Sequence, residues 1–98
     1  MSAFVWAVGR IQRPAALRWG RDNPETLRSV VVWSRPRLQF FSEAQLVQLV
    51  FGLAVLGYFP GALWMTAHER ACAGLRFPLT ESNRHSVGWA YRKLWSLS

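Results

Sequence analysis

Acidic residues are scarce in this chain: five in 98 residues, against eleven arginines and a single lysine, for a net charge of +7. The five are scattered, so no pair of carboxylates is set up for general acid–base work. Only one cysteine is present, Cys72, which excludes an intramolecular disulfide. There is no glycine-rich phosphate loop and no nucleophile with a base at a recognisable spacing. Neither Asn23, followed by Pro24, nor Asn83 begins a glycosylation sequon. These absences argue against an enzyme and leave the secretory route without support. Metal ligands are also few. His68 and Cys72 stand four apart on one helix face, but a structural zinc takes four ligands, and His85 is at best a third. A haem held by one histidine would lack a second axial residue. No catalytic residue, metal, cofactor or small-molecule substrate is therefore expected.

Charge is missing altogether from one long stretch. The 24 positions from Ala44 to Ala67, AQLVQLVFGLAVLGYFPGALWMTA, hold no charged residue. A transmembrane helix needs roughly 20 mainly apolar residues to cross about 30 Å of hydrocarbon. Ser42 and Glu43 stand before the run, and His68, Glu69 and Arg70 end it. Ser42 with Gln45 fits a capping box, in which the two side chains take orphan amides at a helix start. The run reads as one membrane-spanning helix. The fold class that follows is an all-α membrane protein: a basic flank over 1–41, a single transmembrane helix over 42–70, and a C-terminal flank over 71–98 with an amphipathic helix. The alternative is a buried helix of a soluble protein. It is disfavoured because a core helix of this length normally carries a charged face.

Within the run, Ala54, Gly57 and Gly61 fall on one side of a helix, the two glycines forming GxxxG. Small residues let a neighbouring helix come close, so these three are the expected helix-packing face, with Leu53 off it. Pro60 cannot donate to the Leu56 carbonyl, which predicts a kink. Tyr58 and Trp64 suit an aromatic belt. Arg35, Arg37 and Arg70, together with Trp64, are the expected contacts to anionic headgroups such as cardiolipin.

Before the run, residues 1–21 carry Arg10, Arg13, Arg18 and Arg21 and no acid, with Phe4, Val5, Val8 and Ile11 ahead of most of the charge. A secretory signal has the reverse order; an arginine-bearing, acid-free segment has the character of mitochondrial targeting information, here expected to stay on the protein. Asn23 is placed as a helix N-cap, Pro24 as the first helical residue, and Leu27, Val30 and Val31 as one apolar face. A strand through Val30–Val32 is the second reading. Pro36 breaks the segment by disfavouring the helical state at Arg35. After the run, Gly74 is the expected stop, with Pro78 soon after. A second amphipathic helix is expected from about Asn83 to Leu97, with Val87, Tyr91 and Leu94 on one face and Trp89 and Trp95 as anchors. Arginines near the run are three on each side (Arg28, Arg35 and Arg37; Arg70, Arg76 and Arg84), so the positive-inside rule sets no orientation.

One span, a basic N-terminus, arginine- and tryptophan-rich flanks and no catalytic set: in plan the chain resembles the single-span accessory subunits of mitochondrial respiratory complexes, such as the small subunits of cytochrome c oxidase and complex I. The stretch from Pro60 to His68-Glu69 is similar to the span exit of the smallest oxidase subunits, at a different spacing. Leu56-Gly57-Tyr58-Phe59-Pro60-Gly61 is similar to a stretch in two-span plasma-membrane proteolipids, which carries no role over. The resemblance implies a non-catalytic subunit of the mitochondrial inner membrane, single-pass, that supports assembly through helix packing and lipid contact. Its partners would be other subunits of a multi-subunit membrane complex and anionic lipids, with no nucleic acid. An RNA-binding protein associated with the mitochondrial ribosome is the alternative, suggested by the charge and the tryptophans. The uncharged run argues against it. A single-span assembly or import factor is a third reading.

Overall fold

The uncharged run does not form one helix. In a computed structural model that describes residues 13–98, it makes two helices joined by a turn. The α-helices are α1 (Arg13–Asp22), α2 (Pro24–Ser34), α3 (Glu43–Leu56), α4 (Ala62–Ala73) and α5 (Glu81–Ser96), with a 3-10 helix over Arg35–Phe40 between α2 and α3. Helix α3 has 14 residues, close to 21 Å at 1.5 Å per residue, and α4 has 12. Among the described residues no helix is long and apolar enough to cross a membrane. The expected single transmembrane helix over 42–70, and with it a single-pass topology, is thereby corrected.

The break has a local cause. Gly57 adopts φ 71°, the left-handed state that ends helices. Its amide donates to the Ala54 carbonyl at 3.1 Å, and the Tyr58 amide reaches back to the Leu53 carbonyl at 3.1 Å. This crossed pair is a Schellman motif. Pro60 then disfavours a helical Phe59. Gly61, at φ 98°, caps α4. The GxxxG pair thus supplies the two ends of a turn rather than a packing stripe, because both glycines take backbone states that side-chain-bearing residues rarely adopt.

Why α3 carries no charged face follows from its surroundings. Five consecutive residues, Gly52 to Leu56, are buried, and at 100° per residue they cover every direction around the helix. Helix α1 packs on one side and α5 on another, while α4 folds back and lies on the 3-10 helix. Leu46, Leu49, Val50, Leu53 and Ala54 are each 0% exposed. A helix that is apolar all round is buried either in lipid or in protein; here its own neighbours cover it.

Other boundaries follow the sequence in part: Arg35 stays helical at φ −50° and ψ −52° despite Pro36, and α2 passes straight into the 3-10 helix, so the expected break there is corrected. The Ser42–Gln45 capping box forms in both directions, with bonds of 3.2 Å and 2.9 Å. Residues 30–32 are helical, not a strand. Helix α2 begins with Pro24, but the Asn23 side chain turns backwards and donates to the Trp19 carbonyl at 2.8 Å, closing the end of α1. Helix α4 stops at Gly74. Helix α5 starts two residues earlier than expected, because Thr80 caps the Asn83 amide at 3.2 Å. Glu43 accepts from the Asn83 side chain and, at 3.4 Å, from the Thr80 amide, fixing the start of α5 beside the start of α3. Trp89 packs on Phe51 at 5.3 Å and Trp95 on Phe59 at 5.4 Å, so both rings of α5 lie on α3 and the turn after it. The arginine-bearing N-terminus lies outside the described residues as far as residue 12, including Arg10.

Candidate functional site

Two places hold chemistry: a buried polar node around His68 and an exposed basic surface. His68 sits in the middle of α4 at 0% exposure. Its Nε2 lies 2.8 Å from the Leu46 carbonyl, which only accepts, so Nε2 carries the proton. Nδ1 is left to accept from the Tyr91 hydroxyl at 2.6 Å. Trp64, one turn earlier, stacks on the imidazole at 5.1 Å. The Trp64 indole donates to the Ser34 hydroxyl at 3.0 Å, which in turn donates to the Val31 carbonyl at 3.2 Å. Residues from α2, α3, α4 and α5 are joined in this way, and among the described residues no buried side-chain polar atom is left without a partner.

Electrostatics keep the node neutral. Burial lowers the His68 pKa from 6.5 to about 4, against a smaller opposing effect of the Leu46 hydrogen bond. Burial likewise pushes the Cys72 thiol and the Tyr91 hydroxyl above their usual ranges. Cys72 Sγ lies 3.8 Å from Nδ1, so the pair seen in the sequence does come together. It is a protonated thiol beside a neutral imidazole, the opposite of the thiolate–imidazolium arrangement that makes a cysteine nucleophilic. His85 stands apart on the exposed side of α5, and among the described residues no three His, Cys, Asp or Glu side chains are placed to hold a metal. The node is a bolt that holds α4 against α3 and α5.

The residues expected to meet headgroups divide. Trp64 is 1% exposed and belongs to the node, since its ring and its N–H are both engaged inside the protein. Ala54, expected on a packing face, is enclosed by the chain's own helices. Arg35, Arg37 and Arg70 are exposed. Arg37 is held in place: it donates to the Trp33 carbonyl at 2.6 Å and lies over the Trp33 ring at 4.6 Å. Arg35 and Arg70 face a common groove of about 510 Å³ between the 3-10 helix and α4. Arg35 also borders a second groove, of about 620 Å³, whose walls are otherwise apolar: Val31, Val32, Pro36, Pro60, Leu63 and Trp64 among them. Val32 and Leu63 are 66% and 71% exposed. Sequence reading did not single out either one. Leu63 was hidden inside the supposed span, and Val32 stood in a run of three valines whose outer member carries no mark.

No family model matches this chain, and no similar curated protein or solved structure was found.

Proposed function

We propose that the chain is a non-catalytic accessory subunit of a multi-subunit mitochondrial complex, attached by surface contact. The observation that carries this reading is the apolar groove between α2 and α4. Val32 and Leu63 are exposed side by side in a walled apolar depression, and contiguous apolar patches of this kind mark binding sites. Arg35 stands at the rim and none of the lining residues is acidic. The occupant that complements it is an amphipathic segment of a neighbouring subunit with apolar residues inward and carboxylates at its edge. The neutral, solvent-shielded His68 node supports a role without chemistry. The mitochondrial setting rests on the acid-free N-terminal arginines.

Native gel migration of the tagged chain, with mass spectrometry of the band, tests this reading. The wild type is expected in a band much larger than the chain. Leu63→Asp and Val32→Asp each place a charge in the groove and should release the chain while leaving its circular dichroism unchanged. If both variants stay in the large band, the groove is not the attachment site. If the wild type runs alone, the subunit reading fails.

A further inference from the structure

We infer that the outer face of α5 is a seat for the phosphodiester backbone of a nucleic acid. This face is separate from the groove between α2 and α4 and stands on different observations. Arg84, Gly88 and Arg92 are spaced by four, so they form one stripe along the helix. With Glu81 and His85 they line a shallow depression of about 320 Å³. Arg84, His85 and Arg92 are exposed, and no apolar side chain lines the depression.

Gly88 is the residue that needs a reason. Glycine in the interior of a helix weakens it relative to alanine. Packing often explains such a glycine, but among the described residues a Cβ built at Gly88 meets nothing within 4 Å. No contact among the described residues depends on its smallness. What smallness provides is bare backbone between two guanidinium groups, where a ligand can approach more closely than any side chain would allow. The lining tells what kind of ligand. An apolar partner gains nothing there, whereas guanidinium forks match phosphate oxygens in pairs. Arg84 and Arg92 are rooted about 12 Å apart along the helix, far enough for each to meet its own phosphate on one strand. The chain's net charge of +7 adds long-range attraction of the same sign. Glu81 is the one opposing charge, and it stands at the end of the stripe in the first turn of the helix. The uncharged run, which counts against a nucleic-acid ligand when read as a span, is for the most part buried or half-buried within the fold.

The test is fluorescence anisotropy with the purified full chain and a labelled oligouridylate of about twenty nucleotides, over about 50 to about 200 mM salt. Arg84→Gln with Arg92→Gln should weaken binding by about tenfold or more and flatten the plot of log affinity against log salt by about 1.4, two single-strand phosphate contacts. Arg28→Gln with Arg76→Gln removes the same charge elsewhere and should weaken binding much less. Gly88→Leu leaves the charge untouched, adds a side chain where there is room for the fold, and should also cost about tenfold, with helicity undiminished. The inference is overturned if Gly88→Leu binds as well as wild type. It is equally overturned if the two double variants lose affinity alike, because the attraction is then diffuse. A third contrary result is that phosphatidylcholine–phosphatidylglycerol vesicles or poly-glutamate bind with this dependence on Gly88 and the RNA does not. None of these results alters the native-gel test of the groove, so the two readings fail separately.

Discussion

Helices α3 and α5 are packed against each other, and they are built on opposite plans. Helix α3 is buried all round from Gly52 to Leu56 and carries one charge, Glu43, at its first residue. Helix α5 buries only Val87, Ala90 and Leu94 and exposes Arg84, Arg92 and Lys93. The difference lies in the number of neighbours. A helix at the edge meets the protein on one side and needs one apolar stripe. A helix at the centre meets it on every side and has no place for charge. The composition of α3 therefore reports how it is covered, not the medium that covers it. A small protein can cover one such helix if the chain turns back soon enough, as it does at Gly57–Gly61.

The largest expected effect compares the two helices directly. Leu53→Ala in α3 removes a side chain at 0% exposure and should destabilise by about 2–5 kcal/mol. Arg84→Ala, on the open face of α5, should stay within about 0.5 kcal/mol. Urea unfolding of both variants checks this, and similar losses would erase the distinction between centre and edge. It also reverses what the span reading implied, in which Leu53 was a neutral position off the packing face.

The bolt between the two helices should be sensitive to acid. The His68 pKa is about 4 in the fold and 6.5 as the ordinary value. Above pH 6.5 the imidazole is neutral in both states and exacts no penalty. As pH falls from 6.5 towards 4, the unfolded chain takes up a proton that the fold refuses, so stability declines across that window. The full loss from this group is about 3 kcal/mol, and it is complete once the fold is protonated too. Tyr91 and Cys72, raised by burial, stay neutral throughout. His68→Gln should remove this part of the slope in denaturation curves taken across the window. An unchanged slope would mean that His68 is not buried as a neutral base.

Smaller effects refine the picture at the turn and at the edge. Gly57→Ala forces a Cβ into φ 71°, and that Cβ meets Leu17 Cδ2 at 2.8 Å. The loss should be about 1–2 kcal/mol; a neutral result in urea unfolding would mean that the chain does not turn there. Gly88→Ala should do the opposite and stabilise by about 0.5–1 kcal/mol, because no contact among the described residues depends on the glycine. A destabilised Gly88→Ala would show an internal use for the residue and weaken the case for an external one.

Much of the local structure was legible in the sequence. Pro24, the Ser42–Gln45 box, Gly74 and the stripe of Val87, Tyr91 and Leu94 act through neighbours a few residues away, and those can be read. The turn was legible as well: Pro60-Gly61 is a turn dipeptide, and Gly57 is a suitable helix terminator. The length of the uncharged run outweighs these local signals and makes the turn look like a kink. What could not be read was long-range. Trp64 finds Ser34 thirty positions away, and His68 finds a backbone carbonyl, which has no signature in any sequence. Of the exposed basic residues, Arg35, Arg37 and Arg70 were marked by their nearness to the run. Arg84, Gly88 and Arg92 became a group only once the register of α5 was fixed.

The whole fold depends on the uncharged run folding back on itself. A distance across it is the most direct test. Spin labels at Ala44→Cys and Glu69→Cys, both exposed positions, in a Cys72→Ala background, sample the two ends of the run in the full-length chain. In one continuous helix these positions would be about 37 Å apart. In the fold, Leu46 O and His68 Nε2, just inside the two labels, are 2.8 Å apart. Double electron–electron resonance should therefore give a distance clearly shorter than that of the straight helix. A single population near the straight-helix value would contradict the hairpin and everything built on it.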